Sequence, residues 1–244
     1  MPHFFINSND KINEKIHITD AENYRHIAKA LRARIGENIL LIDENQIQYE
    51  TKIEDITKSE IVCNIEKSYK SMRDLNFDLY LAQSPLRSDA QLTIIEKATE
   101  LGVRGVYPII TDNCALNKKM LENKVEKWQK VMFESSKQCE RAKIPTCFDL
   151  TTLEKVLENN FDKILVMAER STEITLKKYL SENIINDGDK VLVIIGPEGG
   201  FSKQEFEFFK SKNLPLITLG DLILRAETAV IVSLGDIVYE YVGR

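Results

Sequence analysis

The chain has 244 residues, with 33 Lys and Arg against 38 Asp and Glu, and 43% of its residues are apolar. That composition is globular, and with only 10 Gly and 6 Pro it excludes collagen-like or long disordered stretches. Apolar runs such as residues 191–195 fall far short of the roughly 18 residues a membrane span needs. The start of the chain shows neither a basic n-region nor a continuous apolar core, so a cytoplasmic protein that avoids membranes is expected.

Up to residue 73 short apolar segments recur: residues 4–6, residues 39–42, an alternating run at 47–56, and residues 61–63. Asp43-Glu44-Asn45 joins the second to the third as a hairpin turn. Residues 24–34 read as a helix closed by Gly36, carrying Arg25, Lys29, Arg32 and Arg34 with only Glu22 nearby. These features predict a small β-rich barrel or sheet over residues 1–73.

Beyond residue 73 the rhythm becomes strand, helix, strand. Residues 77–82 read as a strand, and Ser88-Asp89-Ala90-Gln91 has the spacing of a capping box. The helix that follows places Leu92, Ile94, Ile95, Ala98 and Leu101 on its inner side. Residues 103–110 form the next predicted strand. Leu121, Val125, Trp128, Met132, Ser135 and Cys139 then recur at helical spacing and predict one long helix. Its surroundings are basic, since residues 117–145 hold eight Lys and Arg against four Glu. Residues 164–167 and 191–195 are short apolar runs of the fully buried, parallel-sheet type. The alternation predicts an α/β domain over residues 74–244. Each of the two basic clusters reads either as a solvated helix face or as a patch that meets a phosphate backbone.

Cys63, Cys114, Cys139 and Cys147 have no CxxC spacing, which argues against a disulfide framework and a zinc site. All three histidines, His3, His17 and His26, lie near the N-terminus. Chemistry in the larger domain must therefore rest on carboxylates, arginine, hydroxyls, backbone or a bound cofactor, and no metal is expected. Two segments stand out. In the first, the strand at 191–195 runs into Gly196-Pro197-Glu198-Gly199-Gly200-Phe201, and Ser202 with Glu205 forms a capping box. Glycines at the end of a parallel strand either let backbone approach a ligand or simply complete a strand-to-helix turn. There is no Walker A lysine, and Pro197 removes an amide donor that a phosphate cradle would use. In the second, a strand ends at Leu219-Gly220, the apolar stretch Leu222-Ile223-Leu224 follows, and a helix begins near Ala226. An apolar loop beside a Gly-rich one suits an uncharged ring such as adenine. Arg225 and Glu227 read either as functional charges or as a helix-terminal ion pair.

Together, Gly196-Pro197-Glu198-Gly199-Gly200-Phe201-Ser202, Leu219-Gly220 and Ile223-Leu224-Arg225-Ala226-Glu227-Thr228-Ala229 resemble the SPOUT-class RNA methyltransferases of the RsmE type. Supporting matches are Glu96-Lys97-Ala98-Thr99-Glu100-Leu101-Gly102-Val103, Lys127-Trp128-Gln129-Lys130, Gln138-Cys139-Glu140-Arg141 and the segment 26–36. The resemblance spans essentially the whole chain. It implies a PUA-like RNA-binding β-barrel followed by an α/β domain whose C-terminal part forms a trefoil knot. It also implies S-adenosylmethionine as cofactor and a homodimer acting on 16S-type ribosomal RNA or the small ribosomal subunit, with methyl transfer to N3 of one uridine. The alternatives are another RNA position methylated by the same knot, or a non-catalytic RNA binder in ribosome assembly.

By the same resemblance the cofactor site comprises Met167, Gly196, Pro197, Gly199, Gly200, Leu219, Gly220, Ile223, Leu224 and Thr228. Arg225 is the expected electrostatic group. Glu198 is either the proton acceptor or a residue that only holds its loop. Arg32, Arg34, Arg87, Lys137 and Arg141 are the expected RNA contacts. Leu222 stands where the family usually carries arginine.

Overall fold

Three hydrophobic cores organise the chain, and the computed structural model describes residues 2–71, 73–168 and 174–241, apart from the side chain of Ser88. One unit comprises Met1–Asp74 with Lys137–Lys143, the other Leu75–Ser136 with Ile144–Arg244.

The first unit contains β1 (His3–Phe5), β2 (Lys11–Ile12), β3 (Lys15–Ile18), α1 (Ala21–Tyr24), β4 (Asn38–Ile42), β5 (Ile47–Ile56) and β6 (Ile61–Lys70). Along β5 the side chains of Tyr49, Thr51 and Ile53 are buried while Lys52 and Glu54 face solvent, which gives the sheet one inner face. The strand order is β1-β4-β5-β6-β3-β2, parallel at β1/β4 and antiparallel elsewhere. Register irregularities at Glu50/Thr51 and Ile53/Asp55 bend the long β5–β6 pair. Phe4 from one end of the sheet and Ile16 from near the other share a core with Ile39, Leu41, Ile53 and Ile61. The sheet therefore wraps around its own interior.

Three local expectations change. The helix begins earlier, at Ala21, because Asp20 Oδ1 accepts from the amides of Glu22 and Asn23 at 3.1 and 2.8 Å. It continues as a π-helical segment over Arg25–Ala30 and stops before Arg32, whose φ of 54° is left-handed. The strand expected at residues 61–63 runs on to Lys70, and β2 and β3 are too short to have announced themselves.

The second unit contains β7 (Asp78–Gln83), α2 (Ser88–Glu100), β8 (Gly105–Ile110), α3 (Lys118–Glu122), α4 (Val125–Gln138), β9 (Thr146–Cys147), β10 (Thr151–Thr152) and α5 (Leu153–Leu157). After these come β11 (Lys163–Met167), β12 (Ile174–Thr175), α6 (Leu176–Glu182), β13 (Lys190–Ile195), α7 (Lys203–Ser211), β14 (Leu216–Thr218) and α8 (Ala226–Tyr241). The strand order is β10-β8-β7-β13-β11-β14-β12, with β9 also on β8, and every pairing is parallel. Both faces of this sheet are covered, as parallel sheets require. In β13, Val191, Val193 and Ile195 join the core that includes α2 and α8, while Leu192 and Ile194 join the core under α5 and α7.

The predicted long helix is broken at residues 123–124, because Asn117 caps a separate first turn by accepting from the Met120 amide at 3.0 Å. The expected capping box at 88–91 is also different. Arg87 is the N-cap and makes no side-chain cap, while Gln91 Oε1 accepts from the Leu86 amide at 2.7 Å; the Ser88 side chain lies outside the described residues.

The boundary expected at residue 73 leaves out one excursion. Lys137–Lys143 packs with the first unit: Arg141 Nη2 donates to Asp74 Oδ1 at 2.9 Å, Arg73 pairs with Glu140, and the Ala142 amide donates to the Arg73 carbonyl at 3.2 Å. The Arg141 side chain is only 5% exposed. The guanidinium expected to grip a phosphate is thus committed to an internal carboxylate, and Arg141 is corrected from an RNA contact to a structural group. Arg141→Ala should lower unfolding stability by roughly 3 kcal/mol in urea titrations, the cost of stripping one partner from a buried pair.

In the same unit His3 is buried on β1, and burial first, then the Arg73 charge, holds its imidazole down to about 4 from an ordinary 6.5. Below pH 6.5 the unfolded chain takes a proton that the folded chain refuses until pH 4. Stability that is complete above pH 6.5 should therefore fall by roughly 3 kcal/mol as the pH drops to 4, and His3→Phe should flatten that slope in unfolding curves.

Candidate functional site

The pairs Val166↔Ile194 and Met167↔Ile217 bring the carboxyl ends of β13, β11 and β14 to one edge of the sheet. Ligands of open parallel sheets bind outside this edge. A cavity of about 520 Å³ lies there. Its walls are Met167 and Ala168 after β11, the loop after β13, the loop after β14, and Ala90 in the first turn of α2.

The loop after β13 is shaped by its own glycines and by its neighbours. The Gly200 amide donates to the Pro197 carbonyl at 2.9 Å, and Gly200 adopts a φ of 68° that closes the turn. Ser202 and Glu205 form the expected reciprocal capping box of α7, with Ser202 N donating to Glu205 Oε2 at 2.7 Å and Glu205 N donating to Ser202 Oγ at 3.2 Å. Ser202 Oγ in turn donates to Asp112 Oδ2 at 2.5 Å, and the Asp112 amide donates to Glu205 Oε1 at 3.1 Å. Gly196 packs so closely that a Cβ there would lie 3.3 Å from the Phe201 ring.

The loop after β14 is held by Thr218, whose Oγ1 accepts from the Gly220 amide at 3.1 Å and donates to its carbonyl at 2.8 Å. Past this turn Leu222 and Ile223 stand 81% and 62% exposed, although both line the cavity. The charged lining consists of Glu198, Arg225 and Glu227. Among the described residues none of the three has an ion-pair partner, so the helix-terminal pair between Arg225 and Glu227 is not formed.

The cavity brings together Met167, Gly196, Pro197, Glu198, Gly200, Leu219, Ile223, Leu224 and Arg225. Gly199, Gly220 and Thr228 do not line it. A Cβ on Gly199 would meet Asn113 Cβ at 3.1 Å, so that glycine answers to a protein neighbour. Gly220 has open space around it and a φ of 134°, so it serves the turn. Thr228 is exposed on α8. Outside the two loops and the segments that flank them, residues 195–201 and 219–229, the sequence reading missed Ala90, Ala168, Ile217 and Thr218 as lining residues. Ala90 was available from the pattern, since it lies one turn before Ile94 on the inner face of α2. Of the expected RNA contacts, Arg32, Arg34 and Arg87 are exposed and Lys137 is half-buried. Among the described residues no cluster of three or more His, Cys, Asp or Glu could hold a metal ion, and no helix is long and apolar enough to cross a membrane.

An RNA methyltransferase domain family matches residues 73–238, well over half of the chain. The chain belongs to the RNA methyltransferase family. An RNA methyltransferase PUA domain family matches residues 18–66. Ribosomal RNA small subunit methyltransferase E of Rickettsia conorii is 28% identical over 96% of this chain and 93% of its own. The Bacillus subtilis protein of the same name is 27% identical over 90% of this chain and 88% of its own. A crystal structure of ribosomal RNA small subunit methyltransferase E from Neisseria gonorrhoeae, bound to S-adenosyl methionine, superimposes with a TM-score of 0.85 at 23% identity over 99% of this chain and 98% of that chain. The fold of this methyltransferase is accordingly α/β, an RNA methyltransferase domain preceded by a PUA domain.

Within this family member the cap of α7 is the local anchor of the site. Ser202→Ala removes both the helix cap and the bond to Asp112 and should lower stability by about 1 to 2 kcal/mol, measured by urea unfolding.

Proposed function

We propose that the chain transfers a methyl group from S-adenosylmethionine to N3 of a uridine in small-subunit ribosomal RNA. The observation that carries this reading is the strand-end cavity, with one apolar wall, one glycine-rich wall and a single arginine on its rim. Leu219, Ile223 and Leu224 offer an uncharged surface that fits a purine ring, and Gly196 and Gly200 contribute to the other wall. When bound, the sulfonium supplies the electrophilic methyl, so the residues present need only position and discharge the nucleophile.

A uracil N3 must lose its proton before nitrogen can attack. The Glu198 carboxylate, exposed and without an ion-pair partner among the described residues, is suited to accept that proton. The Arg225 guanidinium on the same cavity wall is suited to hold the negative charge that develops on the pyrimidine. Arg32, Arg34, Arg87 and Lys137 would contact phosphates, which set affinity without reading sequence.

A homodimer is part of this reading. Thr228, Ile231, Gly235 and Tyr239 follow one another at helical spacing on α8, opposite its buried face, and Tyr239 is 85% exposed. The exposed apolar side chains Ile231 and Tyr239 on this face, and Leu222 and Ile223 on the loop before it, fit a second copy of the chain. An rRNA substrate places the protein in the cytoplasm.

The test is mass spectrometry of small-subunit rRNA nucleosides from cells with and without the gene, paired with calorimetric titration of S-adenosylmethionine into the purified protein. Loss of one N3-methyluridine on disruption is expected. Loss of a different modification would transfer the same cavity to another target. Absence of any lost methyl, together with no cofactor uptake, would leave a non-catalytic RNA binder.

A further inference from the structure

The loop that carries Glu198 is not held by its own strand alone. In the sheet β8 is separated from β13 by β7, yet the residues just after β8 reach across to the Gly-rich loop. Asn113 Nδ2 donates to the Gly200 carbonyl at 3.1 Å and lies 3.4 Å from the Gly199 carbonyl. Its neighbour Asp112 accepts from Ser202 Oγ at 2.5 Å and gives its amide to Glu205 Oε1 at 3.1 Å. The approach is close enough that a Cβ on Gly199 would lie 3.1 Å from Asn113 Cβ, so Asn113 would have to give way.

We propose that Asn113 is a positioning residue for the reaction, a latch that sets the conformation of residues 198–200 and through them the cavity wall and Glu198. This rests on the functional reading above only for the identity of the ligand.

The physical argument is one of satisfaction and stiffness. Glycines at 199 and 200 leave the backbone soft, and each carries a carbonyl with no helix or strand to bond it. Inside the loop, Gly200 N to Pro197 O fixes one side of the turn and leaves the Gly199 and Gly200 carbonyls to other donors. The amide of Asn113 is the donor those carbonyls find, and an aspartate at the same place would present only acceptors. Asp112 and Glu205 stitch the following residues to the same segment, so the donor and its targets are registered with each other. Asn113 does not line the cavity, and its effect must pass through the loop.

The experiment compares the full-length protein with Asn113→Asp and Asn113→Ala by two measurements. The first is hydrogen exchange of residues 197–202 without any ligand. Both variants should exchange faster there, by about threefold to tenfold, the worth of one or two exposed hydrogen bonds, while β13 is unchanged. The second is calorimetric affinity for S-adenosylmethionine, which should weaken several-fold, more for Asn113→Asp than for Asn113→Ala. Thermal midpoint and RNA affinity should stay near those of the parent chain. Unchanged exchange in both variants overturns the latch. So does a lowered thermal midpoint with intact cofactor affinity, which would make the contact a purely structural one. If the parent chain takes up no S-adenosylmethionine, the functional reading fails by itself, and the exchange data still decide whether Asn113 sets the loop.

Discussion

The structure of the site depends on one constraint, the parallel register that ends β13, β11 and β14 at the same edge. The pairs Val166↔Ile194 and Met167↔Ile217 end the three strands within about one residue of each other, so three loops leave the sheet together. A shift of one residue would turn Val191, Val193 and Ile195 from the α2 and α8 core into the other face and misplace every loop. Burial of both faces makes such a slip costly. The cavity is therefore fixed by the same apolar side chains that hold the domain together, and needs little extra stabilisation of its own.

What the sheet does not fix, the loops' own polar contacts do. The capping box at Ser202 and Glu205 starts α7 and at the same time ties that helix to Asp112. Glu205 is 9% exposed, yet its two oxygens accept from the amides of Ser202 and Asp112, so its burial is matched by donors. By contrast Glu198 and Arg225, on the cavity wall, have no such partners among the described residues. Glu198, left available for a ligand, and Glu205, which holds the scaffold, are thus only 7 residues apart in the chain.

The sequence made much of this legible, for identifiable reasons. Buried parallel strands are continuous apolar runs, and residues 191–195 and 164–167 could be read directly. The capping box at Ser202 was visible because it depends on two side chains at fixed spacing. Strands of two to four residues, such as β2, β3, β9, β10 and β12, were not visible, since tertiary pairing and not local pattern creates them. The role of Gly199 was misread because the space that it leaves is occupied by Asn113, 86 positions away in sequence. Arg141 was misread for a similar reason: a cluster of cations in sequence does not reveal which member has a carboxylate waiting in the fold.

The loop after β14 leaves apolar side chains of the cavity wall open to solvent. Leu222 and Ile223 hold positions on the cavity wall and are nonetheless mostly exposed, and the outward stripe of α8 adds Ile231 and Tyr239. At about 25 cal/mol per Å², covering side chains of this size is worth roughly 1.5 kcal/mol or more each. A small ligand in the cavity could shield only the faces that line it, whereas the helix stripe points away from α8's buried side. Leu222 increases the apolar area of this rim. Leu222, Ile223, Ile231 and Tyr239 are therefore apolar surface that the described residues leave uncovered, and a ligand seated in the cavity could cover only the part that Leu222 and Ile223 contribute.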